Sequence, residues 1–143
     1  MRHKLDSFDT LVDIIARLRS PDGCPWDREQ THFSIKGNLL EEAYEVLEAI
    51  DEGDMGKLCE ELGDLLMQIV LHAQMASEDG GFEIDDVIHS INTKLIHRHP
   101  HVFGDARAKS AREVITNWEE LKREEGKDSL LSGLPNEMPA LAY

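Results

Sequence analysis

Apolar residues recur at three- and four-residue intervals through five stretches of the chain, and polar breaks separate them. Phe8, Leu11, Val12, Ile15 and Leu18 line one face of a helix predicted over Leu5–Arg19, with Ser7 and Asp9 as its start signal. A second helix, about Phe33 to Asp51, carries Ile35, Leu39, Val46 and Ala49 on one arc. A third, about Asp54 to Glu78, ends at Gly80-Gly81. A fourth, Phe82 to His99, buries Ile84, Val87, Ile88, Ile91 and Leu95 and is stopped by Pro100. Ser110-Ala111-Arg112-Glu113 reads as a capping box that opens a fifth helix, packed through Val114, Trp118 and Leu121 and closed by Gly126 after Glu125. The expectation is an all-α fold, an antiparallel helical bundle.

Between the first two helices, SPDGCPWDREQTH is a loop by composition, and Trp26 within it is expected to plug the end of the bundle, with a stacking face for a base as the alternative. Residues 1–128 form the expected domain. Ser129 to Tyr143, with Pro135 and Pro139, reads as an extended tail or linker towards a second domain. The third helix is apolar nearly all round through Leu62, Leu65, Leu66, Met67, Ile69, Val70 and Leu71. One small domain hardly surrounds such a helix, so a dimer or larger assembly is expected.

The break Asp51-Glu52-Gly53-Asp54 joins the second and third helices as an αα-hairpin, with a glycine cap followed by a new N-cap. Glu42 and Glu45 are neighbours on the first arm, and Glu61 and Asp64 on the second. Glu45 lies eight residues before Gly53 and Glu61 eight after; Glu42 lies eleven before and Asp64 eleven after. Equal distances from the turn give equal heights, so the four carboxylates face each other in two pairs. Glu42 falls inside the apolar arc of its helix and Asp64 is flanked by Met67, Leu71 and Met75, whereas Glu41, Glu48 and Glu52 point to the polar side. Acids inside an apolar stripe need partners. Lys57 is the one base nearby, so the cluster calls for a multivalent cation, and hard oxygen ligands favour Mg²⁺ or Mn²⁺.

Composition narrows the partners. Lys plus Arg total 15 against 29 Asp plus Glu, a formal charge of −14 in 143 residues. That argues against a nucleic-acid polymer or an anionic membrane as partner. Cys24 and Cys59 have no disulfide or metal spacing, and Cys24 has no convincing nucleophile context. No apolar run is long enough to span a bilayer, and a cytoplasmic location is the default. Against this acidic background Lys94 and Arg98 stand four apart on one helical face, a spacing that suits a phosphate clamp. His97, His99 and His101 alternate around Pro100; structural roles are favoured there over a zinc site.

The pieces GCPWDREQTH, LLEEAYEVLEAI, EELGDLLMQIVLHAQ, KLIHRHPHVFGD and WEELK together resemble the MazG family of nucleoside triphosphate pyrophosphohydrolases. That family lies within the all-α superfamily that also holds dimeric dUTPases and phosphoribosyl-ATP pyrophosphohydrolase. The resemblance spans nearly the whole chain. It implies Mg²⁺ ligands at Glu42, Glu45, Glu61 and Asp64 with Glu41 close by, triphosphate contacts from Lys94 and Arg98, and substrate contacts from Trp118 and Lys122. It also implies a homodimer or homotetramer. Many members carry two such domains, and this chain is most like the first.

The implied reaction is metal-dependent hydrolysis of a nucleoside triphosphate to monophosphate and pyrophosphate, with non-canonical nucleotides as one substrate class. Metal ions neutralise the phosphates and place a water, and Glu45 or Glu41 is the candidate base. The alternative is a non-catalytic dimerisation module that binds metal and nucleotide. A carboxylate-bridged di-iron bundle is disfavoured, because neither arm of the acid hairpin carries Glu-x-x-His.

Overall fold

A computed structural model describes residues 4–126. The tail from Ser129 and the boundary at residue 128 lie outside the described residues. Seven helices follow in order: α1 Phe8–Leu18, α2 Pro25–Glu29, α3 Lys36–Glu52, α4 Met55–Glu78, α5 Ile84–Arg98, α6 Pro100–Phe103 and α7 Ala111–Glu125. The described residues contain no strand, and the fold is all-α as expected. The chain divides into two compact units, Met1–Ile88 and His89 onward, and the division falls within α5.

In the first unit α4 is the central element. Ile15 of α1, Ile35 ahead of α3, and Val70, Leu71 and Met75 of α4 form the buried cluster, and Leu11, Val12, Leu18, Met67 and Ile84 pack against it. Ile35 and Val70 are only 1% exposed. Full burial of one such side chain contributes about 1.5–3 kcal/mol. Val46 and Ala49 of α3 are buried too, so the predicted arc of that helix is the packed one.

The α3–α4 hairpin closes as its sequence predicts. Gly53 takes φ 69°, a left-handed conformation that strains any residue with a Cβ, and the N–H groups of Gly53 and Asp54 donate to the carbonyls of Ile50 and Ala49. The Asp54 carboxylate accepts from the Lys57 N–H at 3.1 Å and opens α4.

Several local expectations are corrected. The segment expected as loop over Ser20–His32 contains α2, which starts on Pro25 because a fixed φ and a missing N–H suit the first helical position. Trp26 is 57% exposed and does not plug the bundle. The helix expected from Phe33 begins at Lys36. Thr31 and Ser34 first exchange reciprocal bonds, Thr31 N–H to Ser34 Oγ and Ser34 N–H to Thr31 Oγ1, which hold the chain in a turn. Pro100 ends α5 but also heads α6. In the predicted stripe of α5, Ile84, Val87 and Ile88 are half-buried, whereas Ile91 and Leu95 lie exposed on the single chain.

One long-range tie holds the first unit together. Arg19, just past α1, donates from Nε and Nη2 to the two carboxylate oxygens of Glu78 at 2.8 and 2.9 Å. Its Nη1 donates to the carbonyls of Asp27 at 2.6 Å and Gln30 at 3.0 Å. One guanidinium thus fastens the end of α1, the end of α2 and the end of α4.

In the second unit, Ser110 Oγ accepts from the Glu113 N–H at 3.2 Å and caps α7. The reciprocal arm of the capping box reaches one residue further back, since Glu113 Oε2 accepts from the Lys109 N–H at 2.7 Å.

Candidate active site

The hairpin brings the four predicted acids together. Glu42 and Glu45 of α3 and Glu61 and Asp64 of α4 each offer a carboxylate oxygen, and these oxygens all lie within 4.8 Å of one another. Glu42 and Glu61 are half-buried, whereas Glu45 and Asp64 stand at the exposed edge. Glu42 Oε2 and Glu61 Oε2 are sealed from solvent without a hydrogen-bond partner among the described residues. Lys57 does not relieve them by direct pairing, because its Nζ sits 3.2 Å from Glu52 Oε2. Glu41 is exposed and outside the group of four.

The electrostatics record the crowding. Desolvation, followed by the charge and hydrogen bond of Glu45, raises the Glu42 carboxyl above the ordinary carboxylate value. A hydrogen bond shared with Glu45, followed by partial desolvation and the charges of Glu45, Asp64 and Glu42, raises Glu61 to about 7. Such a cluster retains a proton near neutral pH unless a cation replaces it. The donor set fits one: opposed oxygens around a single ion lie about 4.2 Å apart for Mg²⁺ and about 4.8 Å for Ca²⁺. Glu42 and Glu61, which each carry a sealed and unpartnered oxygen, are two of the four residues that would hold it.

The predicted substrate residues fall in the second unit. Arg98 donates from Nε and Nη2 to Glu125 Oε2 at 3.0 and 2.8 Å, and His97 Nε2 lies 3.3 Å from Glu125 Oε1. Trp118 is half-buried and meets His99 edge-on, with centroids 5.0 Å apart, and its Nε1 is sealed without a partner among the described residues. Lys94 and Lys122 are exposed. Of the other histidines around Pro100, His99 has its Nδ1 2.6 Å from the Leu95 carbonyl and its ring also meets His101. Among the described residues the acid quartet is the one group of three or more such side chains able to share a metal.

Some polar groups lie outside the predicted site residues. His32 and His72 stack with centroids 5.0 Å apart and Nδ1 atoms 2.7 Å apart, forty residues from one another. Gln68, one helical turn beyond Asp64, is buried with its Oε1 unpartnered. Gln68 was legible as a polar position on the acid-bearing arm, whereas the histidine pair and Glu125 carry no local signal.

Comparison with known proteins points to one family. The MazG nucleotide pyrophosphohydrolase domain family matches residues 30–103, a span that contains all four acids together with Lys94 and Arg98. The chain is 50% identical over 138 residues to the nucleoside triphosphate pyrophosphohydrolase/pyrophosphatase MazG of Thermotoga maritima, covering 94% of this chain and 52% of that protein. It is 47% identical over 142 residues to the nucleoside triphosphate pyrophosphohydrolase of Escherichia coli K12, covering 96% and 54%. The chain therefore spans about half the length of these curated relatives. A mazG-related protein from Thermotoga maritima of known crystal structure superposes with a TM-score of 0.67 at 33% identity, over 80% of this chain and 98% of that one. With the domain matched over half its length and a helical structure matched almost end to end, this chain belongs to the MazG nucleotide pyrophosphohydrolase family.

Proposed function

We propose that the chain hydrolyses nucleoside triphosphates to the monophosphate and pyrophosphate, using Mg²⁺ or Mn²⁺ held by Glu42, Glu45, Glu61 and Asp64. The observation that carries this reading is the convergence of four carboxylate oxygens within 4.8 Å, two of the residues having sealed, unpartnered atoms. When bound, the ion supplies charge neutralisation at the phosphates and a more acidic water. The protein's own residues supply the rest. Glu45, at the solvent-facing edge of the quartet, accepts the proton of the attacking water, with Glu41 as the neighbouring alternative. Lys94 and Arg98 hold the terminal phosphates, and Trp118 and Lys122 contact the remainder of the substrate. Removal of non-canonical nucleotides is the cellular task this chemistry suits, in the cytoplasm.

Incubation with Mg²⁺ and a panel of canonical and modified triphosphates tests the reading. Monophosphate and pyrophosphate should accumulate in equal amounts. Nucleotide binding with no turnover would replace it by a metal- and nucleotide-binding dimerisation module. Release of orthophosphate alone would overturn the cleavage position.

The basic pair gives a second expected result. A triphosphate presents more charge than a monophosphate, so Arg98→Ala should weaken triphosphate binding more. A lost charge-assisted bond contributes about 1.5–3 kcal/mol, so the difference should be about tenfold or more. Calorimetric titration in Ca²⁺, with the acids intact, measures both affinities without hydrolysis. Equal weakening of both ligands would remove Arg98 from the phosphate site.

Assembly belongs to the same proposal. Leu62, Leu66 and Ile69 of α4 are 39–48% exposed on the single chain, and Leu40, Tyr44 and Leu47 of α3 are exposed as well. A second copy covering these side chains makes a homodimer or homotetramer. Light scattering at micromolar concentration should return at least twice the 16.2 kDa chain mass. A stable monomer would refute the assembly.

A further inference from the structure

Glu125 is the last residue of α7, where a helix presents its partially negative end. A carboxylate is poorly placed there, and the basic residues of the same turn, Lys122 and Arg123, are the kind that suits the position. Its compensation comes from a distant part of the chain. Arg98, 27 residues earlier, donates through Nε and Nη2 to Oε2 at 3.0 and 2.8 Å, and His97 Nε2 lies 3.3 Å from Oε1. Both carboxylate oxygens are engaged. The Arg98 and Glu125 side chains are each 27% exposed, so the contact is better shielded than an ordinary surface pair.

The geometry of the guanidinium is the informative part. It carries five N–H donors in a rigid plane. Glu125 takes one from Nε and one from Nη2, which is a single edge of that plane. The adjoining Nη1–Nη2 edge keeps three donors with no acceptor among the described residues, in the fork spacing that matches two oxygens of a phosphate. A free arginine must give up side-chain entropy to present that fork, and one already gripped along its other edge gives up less.

We propose that Glu125 is a positioning residue, which fixes one edge of Arg98 so that the remaining fork meets the terminal phosphates of a nucleoside triphosphate. This rests on the reading of Arg98 as a phosphate contact. Glu125 itself touches no substrate. Its carboxylate aligns the cation that does.

A double-mutant cycle tests the assignment, with ATP and AMP titrated calorimetrically in Ca²⁺ into wild type, Glu125→Ala, Arg98→Ala and the double variant. Glu125→Ala should weaken ATP by about fivefold or more and leave AMP within about twofold, a coupling of the size contacting residues show. Glu125→Gln, which keeps an acceptor oxygen, should fall between wild type and Glu125→Ala. In the Arg98→Ala background, Glu125→Ala should change neither affinity. Unchanged or tighter ATP binding by Glu125→Ala in the wild-type background would overturn the proposal and mark Glu125 as a bystander or a competitor of the phosphates. An equal loss in the Arg98→Ala background would overturn it as well. If Arg98→Ala itself fails to separate ATP from AMP, the reading of Arg98 falls first, and that result is distinct from a silent Glu125 beside a discriminating Arg98.

Discussion

Glu42→Gln combined with Asp64→Asn is expected to abolish both pyrophosphate release and the thermal stabilisation that Mg²⁺ gives the wild type. The quartet places its carboxylate oxygens within 4.8 Å of one another, so each charge is held near the others in the absence of a cation. A ligand at one hundred times its dissociation constant stabilises the folded chain by about 2.7 kcal/mol, roughly 5–10 °C for a chain of this size. The double variant removes one acid from each arm, and with them the sealed Glu42 Oε2. Differential scanning with and without Mg²⁺ measures the effect, and a metal response that survives the double substitution would sink the centre. The metal-free wild type offers an independent check on pH. Glu61 is raised from 4.5 to about 7, so the folded state holds a proton that the unfolded state has released. Its contribution is fully present below about 4.5 and is lost as pH rises through about 7. Metal-free melting temperatures should therefore fall across that window, and saturating Mg²⁺ should flatten the upper part of the profile.

Arg19→Ala is expected to cost about 1.5–3 kcal/mol of stability, the size of a lost hydrogen bond to a charged group. The Arg19 side chain is 8% exposed, and every nitrogen of its guanidinium is engaged with Glu78 or with the carbonyls of Asp27 and Gln30. Its truncation removes the bonds to Glu78 and to the carbonyls of Asp27 and Gln30, while Glu78 still accepts from Gln74 and the Cys24 N–H still donates to the Leu18 carbonyl. Glu78→Gln should cost less, because an amide oxygen still accepts and the carbonyl bonds persist. Arg19→Lys should rescue little, since an ammonium cannot reproduce the planar fork. Urea titration measures all three variants. A loss below about 1 kcal/mol for Arg19→Ala would show that α2 is held mainly by other contacts.

Arg19 also shows where local reading of the chain stops. Its partner Glu78 is 59 residues away, and no periodicity connects them. His32 with His72 and Arg98 with Glu125 are similar cases, at separations of 40 and 27 residues. In α2 the obstacle was length: five residues are too few to show a helical repeat, and Pro25 reads equally well as a loop signal. Trp26 was expected to be buried on hydrophobicity alone, whereas the turn that precedes α3 and the anchoring of α2 leave it outside.

The acid centre was legible because it needs only local rules. Helical period sets which face Glu42, Glu45, Glu61 and Asp64 occupy, and the Gly53 turn sets their heights, so one reversal of the chain brings all four together. By itself the sequence determined the helical class, the hairpin and its convergent carboxylates, since each follows from spacing along a single repeat. Tertiary structure alone decided which oxygens are sealed, which base pairs with which acid, and that Glu125 rather than solvent meets Arg98. Those outcomes depend on packing between segments remote in sequence, and a local hydrophobic pattern carries the direction of a face but not the identity of what meets it.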